Sequence, residues 1–128
     1  MEKLILAIIV GCGGFIGAAL RYLISENTSK IFNGSFPYGT LIVNIVGAII
    51  IGFIMDINAN TSLISGHTKL FLTTGMMGGL TTFSTFSYET INMVTGGNIL
   101  MGCTNAALNL GLSLGGVIIG QFLGKIVY

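Results

Sequence analysis

Residues 75–87 read Gly75-Met76-Met77-Gly78-Gly79-Leu80-Thr81-Thr82-Phe83-Ser84-Thr85-Phe86-Ser87, inside a mostly apolar stretch from about Thr68 to Val94. Three glycines within five residues each lower helix propensity by about 1 kcal/mol relative to Ala. The Ser and Thr side chains that follow can bond locally to backbone and so tolerate a departure from helix. In hydrocarbon, non-helical backbone survives only where protein or a water-filled cavity satisfies it. A break near Gly78 to Thr82 therefore predicts an ion or substrate site near mid-membrane. The same residues also fit a continuous helix that uses Gly75 and Gly79 as a close-contact face. Composition alone does not choose between the two.

The rest of the chain says that the bilayer is the solvent. Of 128 residues, 52% are hydrophobic and 7% charged, with a mean hydropathy of +0.92. A soluble domain carries about a quarter of its residues as Asp, Glu, Lys and Arg, so this chain cannot cover a water-facing surface. The charges cluster at Glu2 and Lys3, at Arg21, Glu26 and Lys30, and around Asp56, His67 and Lys69, with Glu89 and Lys125 apart. Between the clusters lie stretches long enough to cross roughly 30 Å of hydrocarbon at about 1.5 Å per residue. A net charge of +1 leaves no polybasic signal for nucleic acid or acidic lipid.

Four spans follow, about 4–24, 38–55, 68–94 and 99–127, in a single transmembrane domain covering residues 1–128. The polar stretch Ser25 to Ser35 separates the first two, Pro37 and Gly39 punctuate the start of the second, and Asp56 to His67 forms a loop. Gly96-Gly97-Asn98 breaks the chain before the last span. Ile9-Val10-Gly11-Cys12 has the look of a lipoprotein cleavage box, but the apolar character continues to Leu20 and Glu2 offsets Lys3, which favours a first membrane helix. Cys12 and Cys103 have no metal or disulfide spacing and read as small buried packing residues.

Gly13/Gly17, Gly75/Gly79, Gly111/Gly115, Gly116/Gly120 and Gly120/Gly124 fit the small-xxx-small pattern of closely packed membrane helices. Four short spans cannot enclose a pore alone, so a homodimer is the smallest sensible assembly. Lys3, Lys69 and Lys125 fall on one side and Arg21 and Lys30 on the other. That near balance weakens the positive-inside preference and permits insertion both ways, with antiparallel pairing.

Ionisable groups within spans are the first place to look for transport. Arg21 suits either an interfacial anchor or an electropositive lure for an anion. Glu89 must face water or a partner, because exposure to lipid is costly. His67 lacks any companion ligand. Among neutral groups, Asn105, Asn109 and Ser113 share one face of the last helix, and Thr40 and Asn44 share one face of the second. With Thr81, Thr82, Ser84, Thr85 and Ser87 they form either a polar track able to donate hydrogen bonds to a small dehydrated anion or interhelical glue, worth about 0.6 kcal/mol per bond. Phe83 and Phe86 are one turn apart. Rings turned edge-on would stabilise an anion, and face-on rings a cation. No triad, carboxylate pair or phosphate loop is present, so the chain does not read as an enzyme.

Gly78 through Ser87, together with Gly39-Thr40-Leu41-Ile42-Val43-Asn44, Gly17 to Arg21, and Asn109 with Ser113, closely resembles the Fluc (CrcB) fluoride channels. The resemblance covers essentially the whole chain, and the third-span motif is its specific part. It implies an all-α membrane protein with four transmembrane helices per subunit, the third broken at mid-membrane, assembled as an antiparallel, dual-topology homodimer. It implies two passive fluoride pathways along the subunit interface, exporting fluoride across the bacterial cytoplasmic membrane. The pathway residues would be Asn44, Phe83, Phe86, Ser84, Thr85 and Ser113, with Thr40 nearby, Arg21 at the vestibule and Glu89 near the far end. A structural sodium ion (Na+) at the dimer centre would take the backbone carbonyls of Gly78 and Thr81 from each subunit. Some members carry a histidine or tyrosine one turn before the last-span serine. Asn109 stands there in this chain, keeping the hydrogen bond and losing the ring.

Two other classes compete. A small proton-coupled multidrug exporter needs a carboxylate in its first span, and residues 4–24 contain no Asp or Glu. A non-transporting membrane assembly subunit would use its polar residues only as glue.

Overall fold

The computed structural model describes residues 1–128 and is entirely helical. Helix α1 is Glu2–Ile31 and α2 is Tyr38–Asn60. A composite helix follows, made of α3 (Gly66–Leu70), a π-helical stretch (Phe71–Met77) and the single turn α4 (Gly78–Leu80). After a two-residue break come α5 (Phe83–Thr95) and α6 (Ile99–Val127). Three helices, α1, α2 and α6, are long and apolar enough to cross a membrane. The remaining stretch reaches a comparable length only with its pieces laid end to end.

Two boundaries differ from expectation. The first span is expected to end near Ile24, yet α1 continues through part of the polar stretch to Ile31, and α2 continues past Met55 to Asn60. The polar residues there stay helical because their side chains bond back one turn. Thr28 Oγ1 donates to Ile24 C=O at 2.6 Å, Ser29 Oγ to Ser25 C=O at 2.9 Å, and Asn60 Nδ2 to Asp56 C=O at 2.9 Å. The turn into α6 needs a glycine, since Gly97 has φ 94°, and Asn98 then caps the helix by accepting from Met101 N–H at 3.1 Å.

Packing is by glycine faces in two pairs. On α1, Gly13 lies against Phe71 C=O and within 3.0 Å of Gly75 Cα, measured from where a Cβ would stand, and Gly17 lies against Met76 C=O. In the second pair, Gly52 of α2 meets Val117 C=O of α6, and Gly120 of α6 meets Ile49 C=O of α2. Backbones this close leave no room for a methyl group. Gly111 and Gly115, by contrast, touch nothing, so their small-xxx-small spacing is unused within the chain. The apolar core is correspondingly small: seven apolar residues are buried, of which Val43, Met77 and Leu80 form one cluster. Hydrocarbon gives helices no hydrophobic reason to associate, so close backbone contact and polar bonds do the holding. Cys12 and Cys103 are both exposed, not buried, because they fall on faces of α1 and α6 that turn outward.

At the far end of α6, Tyr128 O–H donates to Asp56 Oδ2 at 2.9 Å. Desolvation, that bond and the carboxylate charge together raise the phenol's pKa.

Candidate functional site

The break falls on Thr81 and Thr82, both extended (ψ 157° and 120°), at the C-terminal edge of the interval expected from sequence. The glycines are not where the helix opens. Gly78 and Gly79 remain helical, and Gly79 lies against Gly14 C=O at 2.6 Å from its missing Cβ. Both sequence readings of residues 75–87 therefore hold in part: Gly75 and Gly79 form a close-contact face, and the helix breaks two residues later. Upstream, the π-helical stretch of seven residues is a further irregularity that no composition signal announced.

Four of the backbone groups at the break have side-chain partners. Thr82 N–H, which a continuous helix would aim at Gly78 C=O, donates instead to Asn44 Oδ1 at 2.8 Å. Thr82 C=O accepts from Asn44 Nδ2 at 3.2 Å. Gly79 C=O accepts from Arg21 Nε at 3.0 Å, so the cation of α1 sits at the negative C-terminal end of the upstream half-helix. Thr82 Oγ1 caps the downstream half by accepting from Thr85 N–H at 3.1 Å. Sequence offered Arg21 as anchor or lure; here it turns inward to the break. The signal was present, since Gly13, Gly17 and Arg21 recur every fourth residue on the face that meets residues 71–80.

Beside the break lies an open groove of about 820 Å³. It brings together Asn44, Phe83, Phe86, Asn109 and Ser113, with Gly78 and Thr81 on its wall. The phenyl rings of Phe83 and Phe86 have centroids 5.6 Å apart and are tilted by 55°; Phe83 is 80% exposed. Lys69, near the start of the third span, also lines the groove and was given no role in the sequence reading. Ser84 is exposed, its hydroxyl 3.4 Å from that of Thr82.

A second, smaller cavity of about 340 Å³ holds Thr40, Thr85 and Glu89 together with Ser25, Thr28 and Ser29. Thr40 is one helical turn from Asn44, and Thr85 stands between Ser84 and Phe86, so α2 and α5 contribute to both cavities. Glu89 Oε1 is buried with no hydrogen-bond partner, an atom that calls for a ligand or a water. Arg21 lines neither of these two cavities.

Gly78 and Thr81 suit a hard cation. Thr82 N–H is diverted from the Gly78 carbonyl, the ψ of Thr81 turns its own carbonyl off the helix axis, and both residues border open space. Carbonyl oxygens alone are the donor set of Na+ or its hard relatives.

Known proteins resemble this chain over nearly its whole length. A family model described as CrcB-like protein, Camphor Resistance (CrcB), matches residues 8–121. A Clostridium novyi protein named fluoride-specific ion channel FluC is 94% identical over 128 residues, the whole of both chains. A Clostridium perfringens protein of the same name is 64% identical, again over the full length of both. One from Campylobacter fetus is 48% identical over 120 residues, 93% of each chain. An apolar chain whose third helical stretch opens beside a polar-edged groove, matched over nearly all its length, is a multi-pass membrane protein that belongs to the CrcB family.

Proposed function

We propose that this protein is a passive, fluoride-selective channel that lets fluoride leave the bacterial cytoplasm and so relieves its toxicity. One observation carries the reading. In a chain 94% identical to a protein named fluoride-specific ion channel FluC, Phe83, Phe86, Asn44, Asn109 and Ser113 line a single groove beside interrupted backbone.

The mechanism follows from the groups that face the open space. Fluoride is small and strongly hydrated, so its passage needs donors that replace water in stages. The hydroxyl of Ser113 and the rings of Phe83 and Phe86 line the groove, and rings that present their positive edges there would offer weak contacts in series. Thr85 and Thr40 continue the hydroxyl surface into the smaller cavity, where Glu89 lies near the far end. Conduction requires binding strong enough to admit the ion and weak enough to release it. Uncharged donors in series meet that need. A fixed cation beside every step would hold the anion too tightly.

The assembly in this reading is an antiparallel, dual-topology homodimer with two pathways. The groove is open along one side and Phe83 projects from it, so a single chain does not enclose a path. An inverted second copy would cover the groove, and symmetry would duplicate it. The carbonyls of Gly78 and Thr81 from each copy would hold a structural Na+ where the two breaks meet. When bound, the ion supplies positive charge to carbonyl dipoles that no N–H satisfies.

Purified protein in liposomes loaded with potassium fluoride tests the function. Prompt fluoride release on adding a potassium ionophore, with no proton gradient, is the expected result. Proton-coupled uptake of a cationic drug would instead make it an exporter. Silence in both assays would leave a non-transporting assembly subunit.

A further inference from the structure

Four polar side chains between α2, α5 and α6, two of them buried (Asn105 and Asn109) and two half-buried (Asn44 and Thr90), are joined in a chain that runs in one direction. Thr82 N–H donates to Asn44 Oδ1 at 2.8 Å, and Asn44 Nδ2 donates to Asn109 Oδ1 at 2.9 Å. Asn109 Nδ2 donates to both Asn105 C=O and Asn105 Oδ1 at 3.0 Å. Asn105 Nδ2 donates to Thr90 Oγ1 at 2.9 Å, and Thr90 O–H donates to Phe86 C=O at 2.7 Å. Asn105 is fully buried and Asn109 is 5% exposed, so water does not compete for these groups.

The direction is dictated by groups that have no choice. A backbone N–H only donates and a carbonyl only accepts. Thr82 N–H therefore fixes the oxygen of Asn44 toward itself, which aims the Asn44 amide at Asn109 and requires an oxygen there. Asn105 C=O fixes the amide of Asn109 in the matching sense. Phe86 C=O fixes the proton of Thr90, which leaves the Thr90 oxygen to accept from Asn105. Every amide orientation is set from at least one end.

The chain begins at the residue before α5 and ends in the first turn of α5, having crossed α2 and α6 on the way. Rotating α5 about its axis would swing Thr90 away from Asn105 of α6, while the Thr90 to Phe86 bond, internal to α5, would turn with it. The rings of Phe83 and Phe86 project from that same first turn. We infer that Asn105, Asn109 and Thr90 are positioning residues: through Asn44 they lock the rotation of α5 and so aim the Phe83 and Phe86 rings into the groove.

Resting on the channel reading above, this assigns Asn109 a different part from that of a direct anion contact. Its amide protons are already given to Asn105, and both protons of the Asn44 amide are given to Thr82 C=O and Asn109. A passing anion would have to displace one of these bonds to use either amide. Hydrogen bonds aligned head to tail also polarise one another, so loss of one link weakens the next.

Two measurements on the full-length reconstituted protein test the relay. In the wild type, side-chain amide hydrogen exchange should be far slower at Asn105 and Asn109 than at the exposed Asn33. Equal rates would overturn the relay, whether or not the protein conducts. The second measurement compares Thr90→Val, which keeps the shape and removes the hydroxyl, with Thr90→Ser, which restores it. Thr90→Val should lower fluoride current by roughly tenfold, the equivalent of one net hydrogen bond, and reduce the fluoride-to-chloride permeability ratio. Thr90→Ser should recover both. A well-assembled Thr90→Val channel with wild-type current and selectivity would overturn the positioning role. If Thr90→Val does not assemble, the exchange rates decide. A wild type that carries no fluoride current would overturn the channel reading and any role of the relay in conduction, while exchange would still report the relay separately.

Discussion

Asn44 holds Thr82 by both of its backbone groups, accepting from the N–H at 2.8 Å and donating to the C=O at 3.2 Å. One side chain on α2 thus supplies what a continuous helix would have supplied within α4 and α5. An open backbone inside a bilayer persists only with such replacement. This contact therefore belongs to the break itself as much as to any ion path.

Replacing Asn44 with Asp keeps an acceptor for Thr82 N–H but removes both amide donors and introduces charge. Asn44→Asp should strongly impair fluoride flux while the protein still assembles. Thermal unfolding in detergent should show a loss of about 1–3 kcal/mol, the cost of an unpaired buried group. Flux and stability both at wild-type level would refute the role given to this side chain.

Phe83→Ile removes a ring but keeps apolar bulk. Phe83 is 80% exposed in the single chain and contributes little to its core, so the fold of each subunit should be unchanged. Fluoride current should fall by at least about tenfold, because ring-edge contacts of roughly 1 kcal/mol or more are lost at a narrow step. Undiminished current would mean that the rings only pack.

Arg21→Gln keeps a long polar side chain but loses the charged donor to Gly79 C=O. A hydrogen bond to a charged group is worth about 1.5–3 kcal/mol, and this one also meets the C-terminal dipole of the half-helix. The variant should melt markedly lower than wild type. If its melting temperature is unchanged, Arg21 is an interfacial anchor, the other reading its position allows.

Gly17→Ala places a Cβ against Met76 C=O and 2.9 Å from Leu80 N, both backbone atoms that cannot yield without moving the break. Overpacking of this kind costs about 1–3 kcal/mol or more. Gly111→Ala, where a Cβ meets nothing, should be neutral or slightly stabilising through helix propensity. Equal melting temperatures for the two variants would contradict the close approach of α1 to the broken helix.

The membrane class, the span order and the unusual third span were legible in residues 75–87 and in the spacing of the charges. The break was legible to within Gly78 to Thr82, but which residues of that interval open was not. Counting glycines cannot tell whether Gly79 is there for backbone freedom or for contact with Gly14. The structure assigns it to contact, while the opening lies at Thr81 and Thr82, where Asn44 and the Thr82 hydroxyl supply replacement bonds. Asn105 and Asn109 could be placed on one face from spacing alone. Their partners Thr90 and Asn44 lie on other helices, and no local pattern names them. The π-helical turns from Phe71 likewise carry no propensity signal, and polar residues such as Thr28 read as loop until their bonds to preceding carbonyls are seen.

Selective passage of fluoride is most directly tested by recording current across a planar bilayer with fluoride on one side and chloride on the other. If the groove and its ring edges form a fluoride path, the reversal potential will lie close to the fluoride equilibrium potential. It will not move when a proton gradient is imposed. A reversal potential that follows chloride, or a membrane that stays electrically silent while the protein is shown to be inserted, would contradict the account.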